Sequence, residues 1–390
     1  MNVPKWRLVV PALLAAGIWS VGTATATLPT PAAAPALIPP APALPVISSY
    51  VLMDFSSGQV LAEHNDRVHV APASLTKLMT AYLTYQAVSG HTLSMTQPVT
   101  VTPTAWRTGG SRMFIEPGLP VNVNQLLNGL IVDSGNDAAV ALSEAVAGSR
   151  TAFVTLMNAA AQQLNLQDTH YTNVNGLPDP DLYSSALDIA RLSRALVRNY
   201  PQVLSISAKK FYTYNKIRQP TWNPVLFRDS TVDGLKTGLT DESGYCIDAT
   251  AMRGGHRLIA VVLHGPSWRA STSAVEALLA YGAQFFSEHR YYGPDAAVTV
   301  IHNSALSPPL LPVGPGRVVS IATPRGEGPA VRVHWTLNTL TPTVHAGQVV
   351  GQMDFTLHGR VVRSVPLLAL QEARPAGTLA ALWHRLRFGL

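Results

Sequence analysis

Pro72-Ala73-Ser74-Leu75-Thr76-Lys77-Leu78-Met79-Thr80 is the stretch on which the predicted fold is built. Apolar residues recur from Leu75 to Leu83 with the spacing of one helical face, which predicts a helix that begins near Ser74. In its first turn, free backbone N–H groups favour developing negative charge. Ser74 and Lys77 form an S-x-x-K pair on one face. Lys77 can be the base that activates the serine if burial and neighbouring cations lower its pKa. The alternative for the pair alone is a solvated helix edge.

Two shorter motifs carry residue types that such a serine needs around it. Ser134-Gly135-Asn136 lies in a turn between two predicted helices and presents a hydroxyl and an amide. Lys236-Thr237-Gly238 ends a strand predicted over residues 232–237, along which an extended peptide can pair as an added edge. The glycine allows a ligand backbone to approach closely. Each motif alone has an ordinary alternative, a helix-capping turn for the first and a strand-to-turn junction for the second.

The periodicity around these motifs predicts an α+β fold. A hairpin is predicted from Tyr50 to Glu63, and further elements follow: helices over 123–131, 137–147, 151–164, 185–199 and 271–286, and strands over 209–215, 232–237, 244–252 and 256–264. Strands at both ends with helices between them favour an antiparallel sheet covered by helices, here a catalytic domain over residues 46–290. Short β runs over 298–301, 318–321, 330–335, 348–357 and 360–367 then predict a small all-β domain over residues 291–367.

The composition indicates a globular protein that does not bind nucleic acid. Of the 390 residues, 47% are apolar and 13% are charged, and the formal net charge is +6. No run of lysine and arginine forms a stripe for nucleic acid, so this partner is excluded. Cys246 is the only cysteine, which excludes an internal disulfide and a cysteine-based metal cluster. It lies in an apolar run, and we expect it to be buried.

The first 45 residues are predicted to export the protein and then to tether it. Lys5 and Arg7 precede a short apolar run, and Ala24-Thr25-Ala26 has the small residues of a cleavage site, so residues 1–26 are typical of a signal peptide. The alternative is an uncleaved N-terminal anchor, although the run is shorter than the about 20 residues of a membrane span. Residues 27–45 are rich in proline and alanine and are predicted to form an extended linker.

The C-terminal residues 368–390 are predicted to contain an amphipathic helix that begins at Thr378. One face of this helix collects the apolar residues Leu379, Leu382, Trp383, Leu386 and Leu390. Such a face suits either a helix lying in the membrane interface or a helix docked on the protein's own core. Periodicity leaves both possibilities open.

The three motifs occur in the order S-x-x-K, S-x-N, K-T-G, which is the signature set of penicillin-recognising serine enzymes. Over about residues 46–370 the chain resembles the D-alanyl-D-alanine carboxypeptidase family of low-molecular-mass penicillin-binding proteins. The similar stretches are residues 49–54, 72–80, 134–138, 232–238 and 346–351. The resemblance implies a penicillin-binding/β-lactamase-like catalytic domain. The family ends in a membrane-surface helix, so the resemblance favours an anchor for residues 368–390.

The resemblance implies a role for each residue of the first two motifs. Ser74 attacks the carbonyl of a D-Ala–D-Ala bond and Lys77 accepts its proton. Ser134 and Lys236 relay a proton to the leaving D-alanine. Asn136 holds the acyl side chain, and water then hydrolyses the acyl-enzyme without a metal or another cofactor.

The third motif is implied to bind the end of the substrate. Lys236 and Thr237 engage the terminal carboxylate beside Gly238, and the backbone N–H groups of Ser74 and Leu239 form the oxyanion hole. The implied partners are peptidoglycan stem peptides, β-lactams as covalent inhibitors and the surface of the inner membrane. The implied location is the periplasm, with peripheral attachment through the C-terminal helix.

Two positions depart from the family's pattern. Many members have a histidine directly after the K-T-G motif, where this chain has Leu239. Many also have an arginine before the K-T-G strand that assists in binding the carboxylate, and here Trp222 takes its place. Arg218 and Arg228 are nearby candidates to supply the missing charge. These departures bear on substrate affinity and turnover rather than on the nucleophile.

Three other functions compete with the carboxypeptidase. A D,D-endopeptidase would cut cross-links with the same residues, and a wall-binding scaffold would carry a vestigial site. A class A β-lactamase shares two of the motifs but uses a glutamate acting through water for deacylation. Between Asp137 and Lys236 the only glutamate is Glu144, and the middle motif reads S-G-N rather than S-D-N.

We therefore expect negligible turnover of nitrocefin, because no suitable glutamate activates water against the acylated Ser74. In an absorbance assay, colour should develop to about one equivalent per enzyme and then nearly stop, as an acyl-enzyme accumulates. Ser74→Ala controls for hydrolysis that does not use the serine. Sustained, rapid hydrolysis by the wild type would instead identify a β-lactamase.

Overall fold

The structure, a computed structural model, describes residues 40–388; the side chains of residues 380–382, 385 and 388 are not described. The predicted signal peptide and residues 27–39 of the predicted linker lie outside the described residues. From residue 40 onwards, Ala41 and Leu44 pack against the apolar cluster beneath the main sheet, so this end of the linker contacts the folded protein.

A five-stranded antiparallel sheet forms the centre of the first domain, in the order β2-β1-β7-β6-β5. Its strands, together with the separate hairpin β3-β4, are β1 Ser49–Asp54, β2 Val60–His64, β3 Phe211–Tyr214, β4 Ile217–Pro220, β5 Val232–Thr240, β6 Gly244–Arg253 and β7 His256–Gly265. The β6-β7 turn consists of Gly254 and Gly255, both at positive φ, as a two-residue hairpin turn requires. The predicted hairpins at both ends of the domain are confirmed.

Helices cover both faces of this sheet. They are α1 Lys77–Ser89, α2 Pro103–Trp106, α3 Val123–Ile131, α4 Asn136–Ala147, α5 Arg150–Gln163, α6 Ala186–Asn199, α7 Val203–Ser207, α8 Val225–Arg228 and α9 Trp268–Phe285. Alternate residues of β7 face opposite sides of the sheet: Ile259 and Val261 join the larger helical core, and Leu258 and Ala260 pack with α9. The predicted α+β class, with helices over an antiparallel sheet, is confirmed.

Two local predictions need correction. Ser74 lies in a short 3-10 turn, Ala73–Thr76, and the α-helix begins only at Lys77. Ala73 at φ 45° makes the chain turn sharply before the helix. The strand that carries the K-T-G motif continues to Thr240 rather than ending at residue 237, because Leu239 pairs with Tyr245 and Thr240 with Gly244 of β6.

The second domain consists of short antiparallel strands. They are β8 Phe286–Tyr292, β9 Thr299–His302, β10 Leu306–Ser307, β11 Leu310–Gly314, β12 Val319–Pro324, β13 Arg332–Leu337, β14 Val349–Leu357, β15 Arg360–Ala369 and β16 Arg374–Pro375. One sheet has the order β13-β14-β15-β11-β9, and β8 pairs with β12. β8 follows α9 directly, so the strand begins where the last residues of a helix were predicted.

Helix α10, Thr378–Phe388, ends the described chain. Leu379, Trp383 and Leu386 of its predicted apolar face are 83%, 59% and 76% exposed, so these side chains do not dock on the protein's own core. Leu390 lies outside the described residues. Among the described helices, none combines the length and the apolar character needed to cross a bilayer. Cys246 is fully buried, as predicted.

Candidate active site

Ser74 and Lys77 are in direct contact. Lys77 Nζ donates to Ser74 Oγ at 2.7 Å and to the carbonyl of Asn175 at 2.8 Å. Lys77 has no solvent exposure. Burial and the nearby charge of Lys236 hold the pKa of Lys77 well below its usual range, while Asp137 opposes this shift. A neutral amine within hydrogen-bond reach of the hydroxyl is the form that can accept its proton.

Ser134 and Lys236 form a second hydroxyl–lysine pair. Lys236 Nζ donates to Ser134 Oγ at 3.0 Å and to the carbonyl of Thr237 at 2.9 Å. Ser134 has φ 59°, a left-handed conformation, in the turn between α3 and α4. Burial lowers the pKa of Lys236 to about 7, against the opposing charge of Asp133.

Two carboxyl groups that the motifs do not include frame this pair. Asp133 precedes the S-G-N motif, and burial, with the charge of Asp137 adding to it, raises its pKa to about 8. Asp137 follows the motif and accepts hydrogen bonds from the backbone N–H groups of Met113, Phe114 and Ile115 at 3.0, 2.9 and 3.2 Å. Burial raises the pKa of Asp137, and these hydrogen bonds oppose the rise.

Asp137 and Asn136 together hold the loop before α3 over the site. Asn136 Nδ2 donates to the carbonyl of Gly109 at 2.7 Å, and Ser111 Oγ donates to the carbonyl of Ser134 at 2.9 Å. Sequence patterns did not single out Asp137 or Ser111. The only local signal was a carboxylate in the first turn of a predicted helix, which ordinarily indicates interaction with the helix dipole.

The K-T-G strand passes close to the nucleophile turn because Gly238 has no side chain. A Cβ at this position would lie 3.0 Å from the carbonyl oxygen of Pro72 and 3.2 Å from the backbone nitrogen of Ser74. Gly176 is under a stricter constraint, since its Cβ would lie 1.8 Å from the carbonyl oxygen of Ala73 and its φ is 82°. Both glycines therefore allow backbone segments to meet around Ser74.

These elements surround a cleft of about 250 Å³. It is lined by Ser74, Ser111, Ser134, Trp222, Thr237, Gly238, Leu239 and Trp268. Six of the predicted site residues thus line one cleft, and Lys77 and Lys236 join it through their hydrogen bonds to Ser74 and Ser134. Trp268, at the start of α9, was not predicted, because its distance along the chain from every motif gave no sign of the contact.

The two arginines considered as replacements for the missing charge are engaged elsewhere. The Arg218 guanidinium stacks over the Phe211 ring at 3.7 Å, and Arg228 pairs with Glu276 at 2.7 Å. Neither lines the cleft. Glu144, the candidate for a β-lactamase base, accepts a hydrogen bond from Thr102 at 2.8 Å and also does not line the cleft.

Comparison with known proteins agrees with this site. The model of a family described as D-alanyl-D-alanine carboxypeptidase matches residues 41–267, more than half of the chain. The chain belongs to this family. A second model, for the C-terminal domain of penicillin-binding protein 5, matches residues 309–374. The family and the enzyme class predicted from the sequence are confirmed.

The relatives cover most of the chain. It is 38% identical to the D-alanyl-D-alanine carboxypeptidase DacC of Escherichia coli over 344 residues, 86% of each chain. The crystal structure of penicillin-binding protein 5 from Haemophilus influenzae has a TM-score of 0.78 at 33% identity and covers 85% of this chain and 98% of its own. Penicillin-binding protein D2 of Listeria monocytogenes, in its ampicillin-bound form, has a TM-score of 0.57 at 29% identity and covers 62% of this chain and 98% of its own.

The rate constant for acylation by benzylpenicillin is expected to follow a bell-shaped pH profile. It should rise as Lys77 loses its proton and becomes a base, and fall as Lys236, with a pKa of about 7, loses the charge that attracts the inhibitor's carboxylate. Stopped-flow measurement from about pH 5 to 9 checks this profile.

Lys236→Arg is the matched variant, because an arginine keeps its proton throughout that range. Its falling limb should move to higher pH. An unchanged falling limb in this variant would show that Lys236 does not cause it. Circular dichroism at each pH separates these effects from unfolding.

Proposed function

We propose that this chain is a serine D,D-carboxypeptidase that removes the terminal D-alanine from peptidoglycan pentapeptide stems and that β-lactams acylate on Ser74. The observation that carries the proposal is the 2.7 Å contact between Lys77 Nζ and Ser74 Oγ. A buried lysine with a lowered pKa has no structural need for a serine partner, whereas a nucleophile needs such a base. Membership of the D-alanyl-D-alanine carboxypeptidase family supports the substrate class.

In the acylation step, Ser74 Oγ attacks the carbonyl carbon between the two D-alanines as Lys77 Nζ takes its proton. The backbone N–H groups of Ser74 and Leu239 are proposed to stabilise the oxyanion, and the short approach of β5 at Gly238 supports this pairing. Ser134, held by Lys236 at 3.0 Å, is placed to pass a proton to the nitrogen of the leaving D-alanine as the C–N bond breaks. Water then attacks the ester and regenerates Ser74.

The terminal carboxylate is proposed to bind at Thr237 and Lys236. In this chain the wall beside them is aromatic, with Trp222 and Trp268 lining the cleft. Trp222 supplies no positive charge, so Lys236 is left as the cation of the site. We propose that binding depends more on Thr237 and on pairing with β5 than it would with an arginine at position 222.

The wild type is expected to release D-alanine from a pentapeptide stem, and Ser74→Ala is expected to release none above background. Trp222→Arg should lower KM for the pentapeptide, because an added cation beside Thr237 attracts the carboxylate. Free D-alanine can be measured with a coupled D-amino-acid oxidase assay.

Trp222→Phe is the control, since it keeps an aromatic wall without adding charge, and its KM should stay near that of the wild type. Products from cross-linked muropeptides test the endopeptidase alternative. Cleavage of cross-links without D-alanine release would replace the carboxypeptidase proposal. Absence of both activities together with absence of labelling by a fluorescent penicillin would favour the wall-binding scaffold.

We further propose that the protein is exported to the periplasm by residues 1–26 and attached to the inner membrane by α10. The support for attachment is the exposure of Leu379, Trp383 and Leu386 on one helix. Apolar side chains exposed together with an interfacial tryptophan are typical of a helix that lies in the membrane surface.

Deleting residues 368–390 should move the protein from the membrane pellet to the soluble fraction, because it removes this exposed apolar face. A matched variant with Leu379, Trp383 and Leu386 replaced by serine should do the same without shortening the chain. Penicillin labelling of both variants shows that the catalytic domain remains folded. If both stay in the pellet, α10 is not the anchor.

A further inference from the structure

We propose that Asp54, His256 and Glu288 bind a divalent transition-metal ion of the zinc class that joins the two domains. One donor atom of each side chain lies within 4.8 Å of the other two. Asp54 ends β1, His256 begins β7 and Glu288 lies on β8, so the three come from both domains. This site is distinct from the catalytic residues, whose reaction uses no metal, and its role is structural.

The unpaired atoms of this cluster are the first reason for the proposal. Asp54 is fully buried and His256 is 3% exposed, yet Asp54 Oδ2 and both ring nitrogens of His256 have no hydrogen-bond partner among the described residues. Asp54 Oδ2 lies 3.5 Å from His256 Nδ1, longer than a charge-assisted hydrogen bond. Buried polar groups are nearly always paired, so these atoms indicate an additional partner.

The surrounding hydrogen bonds aim these atoms at a common point. Asp54 Oδ1 accepts hydrogen bonds from the backbone N–H of Ser57, at 2.7 Å, and from its hydroxyl, which leaves Oδ2 for another ligand. The Gln59 side chain bonds to both backbone groups of Ala322, at 2.8 and 3.1 Å, and Ala322 is the partner of Glu288 in the β8-β12 pair. The domains are therefore held in register at this point, as the outer contacts of metal ligands commonly are.

Nearby arginines do not take the place of an ion. Arg194 donates to the carbonyls of Phe55 and Ser56, and Arg363 donates to the carbonyl of Ser320. Their charges lie close enough to lower the affinity for a cation, so we expect micromolar rather than nanomolar binding. The two carboxylates of the cluster balance the charge of one divalent ion.

The donor set indicates which ion fits. One imidazole and two carboxylates suit zinc, whereas magnesium and calcium prefer oxygen ligands alone. Two ligands about 2.1 Å from a tetrahedral zinc lie about 3.4 Å apart, close to the 3.5 Å between Asp54 Oδ2 and His256 Nδ1. Three protein ligands leave a fourth position for water.

The test uses the untagged full-length protein, stripped with a chelator and then titrated with zinc sulfate by calorimetry. We expect one zinc ion per chain and a rise in the melting temperature with zinc, because ligand that binds only the folded state stabilises it. Cobalt(II) should give the visible absorption of a four-coordinate site. Magnesium at the same concentration should change neither quantity.

Glu288→Gln keeps the shape of a half-buried side chain and should weaken zinc binding by at least about tenfold, and His256→Gln should abolish it. His302→Gln, at an exposed histidine of β9, is the matched control and should bind zinc as the wild type does. Penicillin labelling confirms that each variant is folded. The proposal is overturned if the wild type binds no zinc, which would leave a metal-free His–carboxylate cluster, or if Glu288→Gln binds zinc with unchanged affinity.

Discussion

Lys77 is a long basic side chain with no exposure to solvent, hydrogen-bonded to Ser74 Oγ and the carbonyl of Asn175. A charged ammonium is costly in such a place, and the cost lowers its pKa towards the neutral form. The rest of the site depends on that burial. It requires helices on one side, a sheet on the other, and glycines at 176 and 238 that let two backbone segments close around the nucleophile.

A polar layer lies inside this otherwise apolar core. Lys77 and Lys236 oppose each other's protonation, and Asp133 and Asp137 act in the opposite direction. Four ionisable groups in a region of low dielectric interact strongly, so their protonation states are set together. Asp137 also holds the backbone of residues 113–115, which connects this electrostatic balance to the shape of the cleft.

The position of β5 in the sheet explains how an extended substrate can reach the serine. The order β2-β1-β7-β6-β5 leaves β5 at the edge of the sheet, and Thr237, Gly238 and Leu239 line the cleft beside Ser74. An edge strand has free backbone groups with which a peptide can pair. Trp222 and Trp268 give the cleft an aromatic wall, so its chemistry differs from the family pattern at the carboxylate end while the nucleophile pair is retained.

The sequence by itself determined the features that depend on neighbours along the chain. Apolar periodicity predicted α3 at Val123–Ile131 to the residue, and Gly254-Gly255 predicted the β6-β7 hairpin, because helical spacing and turn conformation are local properties. The motif order also identified the family. The length of β5 was missed, because its last two pairs depend on β6.

Only the tertiary structure decided which distant groups meet. The Lys77–Asn175 contact joins residues 98 apart, and the Lys236–Ser134 contact joins residues 102 apart. Asp54, His256 and Glu288 come together from three strands in two domains, and no spacing along the chain indicates this. Such contacts follow from sheet order and from the packing of helices against it, which periodicity does not encode, because a side chain's face is set locally whereas its neighbour across the core is set by topology.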